Sequence, residues 1–402
     1  MTSSSGTVVD NLGVFLGSLD GQPPRRILND ESSAFWIPPL NGGSDGYLVF
    51  WREGTLLAQP MDSRTLRPTA EVFPLAEQVS VLGAYVHASI SQTGVLAYWS
   101  GGSFNSAQLT WYDRSGKSLG VVHTPAAEIG VALSPDEKTV AVARGRGYNR
   151  NESGVWLHEL ARGVDTRFTL DNAGNRAPVW SPDGRRLIYT SIREGTSNLY
   201  LRDASGTGKD ERLLPPGGAR FATDWSKDAR SLVWEETGKG FDLWTMSVDG
   251  ERKPVPFANS EFNETQGQFS PDGRWLAYAS DESGRYEVYV RPFPAGGGKF
   301  RVSVSGGELP HWRRDGKEIY FVSNDRKIMA ATVRTSAGAE LSITADTPQT
   351  LFPIQSPVIR HGFNNYPYAV TADGKRFLVI AGLEASETPL TVVVNWLAAV
   401  KK

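Results

Sequence analysis

The sequence predicts an all-β protein, an eight-bladed β-propeller of four-stranded antiparallel blades. Three observations carry this. A tight-turn motif recurs eight times along 402 residues, at a period of about 47 residues. A run of strand formers follows each turn, and further short apolar runs follow that. Helical periodicity longer than a turn is confined to Leu397 to Lys402.

The clearest copy is Phe269 to Val290, FSPDGRWLAYASDESGRYEVYV. In Ser270-Pro271-Asp272-Gly273 the proline presets φ, the aspartate suits the turn's interior, and the glycine takes a positive φ at the exit. Leu276 and Tyr278, then Val288 and Val290, sit at strand spacing. The motif is repeated at Ser181 to Gly184, and drifted forms start at Ser134, Ser226, Arg313, Thr371, Ser91 and Gly43. The third turn positions are 45, 93, 136, 183, 228, 272, 315 and 373. An apolar residue precedes most turns: Ile90, Leu133, Trp180, Trp225, Phe269, Trp312 and Val370. Fourth runs such as Thr166 to Leu170 and Arg212 to Leu214 are short with charged neighbours, which protects an outer edge.

The ends supply the closure. Gly13 to Leu28 reads as a third and fourth strand, and Tyr368 to Trp396 as a first, second and third. Their pairing closes the ring, with one third strand in surplus. The expected organisation is a single domain over 1–402, with 1–11 a disordered leader and 12–28 the closing strands. Seven blades is the alternative, if the weak copy at Gly43 belongs to the closure.

Composition narrows the function. A 40% hydrophobic content with 12 Trp, 13 Tyr and 17 Phe supports a packed core. A formal charge of −2 gives no electrostatic case for nucleic acid. The absence of cysteine removes disulfides, thiol nucleophiles and cysteine metal sites. No apolar run is long enough to span a bilayer, and the first residues lack the pattern of an export signal.

With these residues in view, the chain resembles the TolB-like, WD40-like propeller repeats. More closely, it resembles the C-terminal propeller region of bacterial receptor-like serine/threonine protein kinases. The resemblance rests on Gly13 to Gly21, Leu109 to Gly120, Phe262 to Pro294, Arg313 to Ala330 and Thr371 to Lys402. It implies a sensing or interaction propeller, extracytoplasmic within such a receptor and cytoplasmic if free-standing. The sequence shows no HRD, DFG or VAIK-type motif, so phosphoryl transfer is not implied. The resemblance carries no ligand residues with it.

Candidate chemistry yields mostly to structural readings. Gly116 to Gly120 matches G-x-S-x-G, but it joins two strand runs and reads as a hairpin turn rather than a nucleophile elbow. Five histidines (His87, His123, His158, His311, His361) lack metal-ligand spacing. The recurrent Trp180, Trp225 and Trp312 read as inter-blade packing. The expected role is a non-catalytic binding or sensory scaffold, a monomer without cofactor or metal, whose partner is a protein, peptide or small molecule. The alternative is a propeller hydrolase or lyase. Segments entering the first strands converge on one channel mouth, which nominates Arg176, Arg220, Glu264, Gln266, His311 and Tyr366 as binding residues. Asn175, Asn263, Glu308 and Asn364 lie on the same segments.

Overall fold

The computed structural model describes residues 13–30, 32–39, 44–82, 85–100, 107–123, 126–145, 153–171, 173–294, 296–336, 341–356, 366–382 and 390–396. The leader 1–11, the helix expected over 397–402, His361 and Asn364 lie outside them. The chain divides into two compact units, one of residues 1–104 with 384–402, the other of residues 105–383.

The larger unit is a ring of six sheets among the described residues. Its innermost strands are Glu128–Leu133, Arg176–Trp180, Arg220–Trp225, Glu264–Phe269, Glu308–Trp312 and Tyr368–Val370. Each begins an antiparallel sheet, five of them running outward in chain order, and neighbouring innermost strands meet around the ring. The sheet starting at Glu264–Phe269 is typical. Its second strand, Trp275–Ser280, is buried throughout, and its outermost strand is the two-residue Phe300–Arg301. Burial peaks between sheets, where Trp225, Leu232 and Trp234 pack with Ile188 and Leu199 of the preceding sheet. Each sheet thus covers an apolar face of its neighbour.

The turns repeat one set of contacts. In each of five copies a Ser or Thr hydroxyl donates to the Asp two residues on, at 2.5 to 2.7 Å. That carboxylate also accepts the N–H two residues further, as in Asp183 with Arg185 at 3.0 Å. The fourth residue closes the turn with a positive φ of 68 to 71° at Gly184, Gly273, Gly316 and Gly374. Glu137 and Ala229 occupy the same position at 59° and 64°, a conformation unfavourable for side chains. The weak copy at Gly43 differs: Asp45 already opens a strand, Asp45–Arg52.

Closure departs from the sequence expectation. The ring closes after six copies, not eight or seven, because Ala107–Asp113 pairs along seven residues with Arg376–Gly382. The closing sheet runs Ser118–Val121, Ala107–Asp113, Arg376–Gly382, Tyr368–Val370. Val14–Leu16 instead pairs with Arg25–Leu28 as a separate hairpin. The surplus third strand of the sequence reading therefore has a home elsewhere. Leu390–Val394 pairs with Val95–Trp99 in the smaller unit. That unit holds the copies at 45 and 93: a four-stranded sheet from Ala34–Ile37 to Phe73–Ala76, and a three-stranded one. The G-x-S-x-G stretch is the expected hairpin, with Asp113 accepting from the Ser115 and Lys117 N–H groups.

Candidate functional site

The innermost strands of the larger unit surround a cavity of about 220 Å³. Its lining comes from the second halves of those strands and from the turns that follow. The residue two before each turn contributes at every blade: Ala132, Val179, Asp224, Gln268, His311 and Ala369. Three consecutive blades are polar there and three are apolar. The backbone period puts equivalent residues on one level of the lumen, so a change of residue type there changes the cavity and not the fold.

The polar members each reach a neighbouring blade. Asp224 accepts the Phe269 N–H at 2.8 Å, and Gln268 donates through Nε2 to the Thr223 carbonyl at 2.8 Å. The His311 ring meets the Tyr368 ring of the next blade at 4.8 Å between centroids, and its Nε2 is buried without a partner. Both side chains retain some surface toward the lumen, yet the surrounding ring desolvates them. Desolvation pushes the Asp224 carboxyl up to about 6, against the pull of Lys227. It pushes His311 down to about 4, with Lys227 adding to the effect. His311 is therefore neutral at pH 7. Tyr366 packs on it at 4.6 Å between ring centroids, and its hydroxyl donates to the Gln266 carbonyl at 3.1 Å. Burial raises the Tyr366 hydroxyl well above its ordinary value.

The mouth is built from turn residues. Pro135, Pro182 and Pro271 form apolar walls, and Lys227 and Arg314 supply positive charge. Trp180 and Trp312 line the same space while donating their indole N–H groups to the Ala132 and Gln268 carbonyls of preceding blades. They serve inter-blade packing and present apolar surface to the cavity together.

Of the six residues nominated from sequence, His311 and Tyr366 line this cavity, and the other four lie at the leading ends of their strands. Arg220 is buried against Glu236, with Nε to Oε2 at 2.9 Å. Arg176 lies over the Phe221 ring at 5.1 Å and reaches Ser197 Oγ at 3.4 Å. Glu264 is buried, which raises its carboxyl, and it accepts the Ser260 hydroxyl and N–H. Gln266, at a positive φ of 60°, accepts the Leu309 N–H at 2.7 Å and donates its own N–H to Glu235. Asn175 is buried beside Asp171, to which its Nδ2 donates at 2.5 Å.

Asp224 and Lys227 were not singled out from sequence. Their signal was available as the residue two before the turn and the second turn residue, compared across copies. Two histidines read as scattered do converge. His123 and His158 stand 5.2 Å apart beside Glu128, Arg144 and Asp165, and Arg144 bridges the two carboxylates. Among the described residues no cluster of His, Asp or Glu has metal-site geometry.

The ring and its cavity define a TolB-like β-propeller fold. A solved structure assigned as TolB from Agrobacterium tumefaciens superposes with a TM-score of 0.53 at 19% identity, covering 69% of this chain and 98% of that one. No family model matches the chain. The uncharacterised protein Atu1656 of Agrobacterium fabrum is 28% identical over 233 residues, 57% of this chain and 76% of that protein. The uncharacterised peptidase YuxL of Bacillus subtilis is 26% identical over 185 residues, 34% of this chain, and the match spans only 27% of that peptidase.

Proposed function

We propose that this chain is a non-catalytic recognition propeller that binds a small ligand, or the tip of a peptide or protein, in the turn-side end of its central cavity. The observation that carries the reading is the divided ring two residues before the turns. Its polar arc, Asp224, Gln268 and His311, gains little for folding, since desolvation disfavours the charged forms of Asp224 and His311. Polar groups kept at such a cost in a lined cavity mark a binding site. The sequence resemblance to the propeller region of receptor-like kinases supports a sensory role for this recognition.

An enzymatic reading has one observation in its favour. A neutral histidine and a carboxyl titrating near 6 share one cavity, as an acid and base pair would. The partial likeness to a protein named as a peptidase points the same way. A thermal-shift screen of amino acids, peptides and sugars separates these readings when hits are repeated on Ala132→Trp and Val179→Phe, which fill the lumen. Recognition predicts hits that both variants abolish and that the protein returns unchanged. Turnover of a hit, lost in the same variants, supports the enzyme; hits indifferent to both variants overturn the channel as the site.

A further inference from the structure

The cavity lining holds two kinds of polar group, cations on the turns and acceptors on the strands. At the mouth, Lys227 and Arg314 form no salt bridge among the described residues, and Lys227 acts on Asp224 through its charge alone. Glu137, an acidic residue of another turn in the lining, is engaged, accepting the Ala372 N–H at 2.6 Å and lying 3.6 Å from Arg376. Deeper in, acceptors converge. Asp224 uses its carboxylate on the backbone N–H groups of Phe269 and Trp225, which leaves it further lone pairs. Gln268 donates its amide N–H to the Thr223 carbonyl, its side chain also meets the Tyr366 hydroxyl, and its Oε1 has two lone pairs to offer. Nε2 of His311 is buried without a partner, and in a neutral imidazole protonated at Nδ1 it offers a lone pair. An ammonium offers three donors, and this arc offers a carboxylate, an amide oxygen and an imine nitrogen. Cations at the mouth and acceptors inside complement a molecule with the opposite polarity.

Resting on the channel reading above, we infer that the cavity takes a small zwitterion, an amino acid or short peptide, with its ammonium on Asp224, Gln268 and His311 and its carboxylate between Lys227 and Arg314. The apolar arc, Ala132, Val179 and Ala369, with the indole surfaces of Trp180 and Trp312, leaves room for an apolar side chain. A volume of about 220 Å³ lies at the small end for ligand pockets and suits one or two residues.

The test is calorimetric titration of the full chain with phenylalanine, Ala-Phe and Ala-Ala-Phe, each against its N-acetylated and C-amidated forms. Blocking either end of the best binder should weaken it by about tenfold to a hundredfold, the loss of one charged hydrogen-bonding end. Asp224→Asn should remove the penalty for N-acetylation, and Lys227→Ala with Arg314→Ala should remove the penalty for amidation. The length preferred distinguishes a free amino acid from a peptide. Equal affinity for blocked and free forms overturns the zwitterion. If a blocked form binds and Ala132→Trp abolishes that binding, the channel reading survives alone. If no probe in the series responds to Ala132→Trp, both fail.

Discussion

The two ends of the innermost strands are equally rich in polar residues and differ in what those residues do. At the leading ends, Arg220 meets Glu236, Gln266 meets Leu309 and Glu235, and Glu264 meets Ser260. These groups are buried and bonded to their neighbours, although Gln266 Nε2 and the nearby Asn175 Oδ1 lack partners and sit away from the lumen lining. At the turn ends, His311 keeps an unpartnered nitrogen, Asp224 meets only backbone N–H groups, and Lys227 and Arg314 form no salt bridge among the described residues. Polarity alone therefore does not mark a site in this ring. Polarity left unsatisfied beside an open lumen does, because an unmet buried group costs free energy that a ligand can recover.

The comparison breaks most sharply if stability and binding fail to separate between the two ends. Arg220→Leu strands the Glu236 carboxylate at the leading end and should cost about 3 kcal/mol in urea unfolding, with ligand affinity of the folded protein unchanged. Gln266→Leu leaves the buried Leu309 N–H without its acceptor and should cost about 2 kcal/mol by the same measurement. Asp224→Asn should have the opposite sign. A carboxyl raised to about 6 in the folded protein binds its proton before the unfolded chain does. Wild-type stability from this group therefore falls as pH rises from about 4 to 6 and stays low above that range. The Asn variant, which retains an acceptor for Phe269, should gain about 1 to 2 kcal/mol at pH 8 and little at pH 4. The smallest effect lies in the turns. Ala229→Gly relieves a positive φ that four sister turns already give to glycine, and should add about 0.5 kcal/mol.

Much of the ring was legible in the sequence, for a physical reason. The Ser-Pro-Asp-Gly turn is stabilised within itself, by a hydroxyl, a carboxylate and a left-handed glycine, so its chemistry shows in four consecutive letters. The second strands are buried on both faces and read as unbroken apolar runs. Closure was not legible. Leu109 to Tyr112 and Gly13 to Leu28 carry the same strand signal, and only the seven-residue register with Arg376–Gly382 decides between them. The site was half legible. His311 and Tyr366 were drawn from the right segments, but the leading segments looked functional because they are polar. Their partners, Glu236 for Arg220 and Ser260 for Glu264, sit on neighbouring strands and loops that sequence order does not align. Asp224 was hidden by a single letter before Trp225. Its meaning depends on the alternation of six residues around a lumen that no linear window contains.

The separation of the two ends is tested most directly at His311. Nitrogen-15 NMR of the imidazole, with His311→Gln used to assign it, reports both its titration and which nitrogen carries the proton. A desolvated ring should stay neutral down to a midpoint of about 4, with Nε2 free of any hydrogen bond before ligand is added. Adding a ligand that the Ala132→Trp variant cannot bind should shift that nitrogen. A midpoint near the ordinary histidine value of about 6.5, or an Nε2 resonance indifferent to every such ligand, would contradict the account.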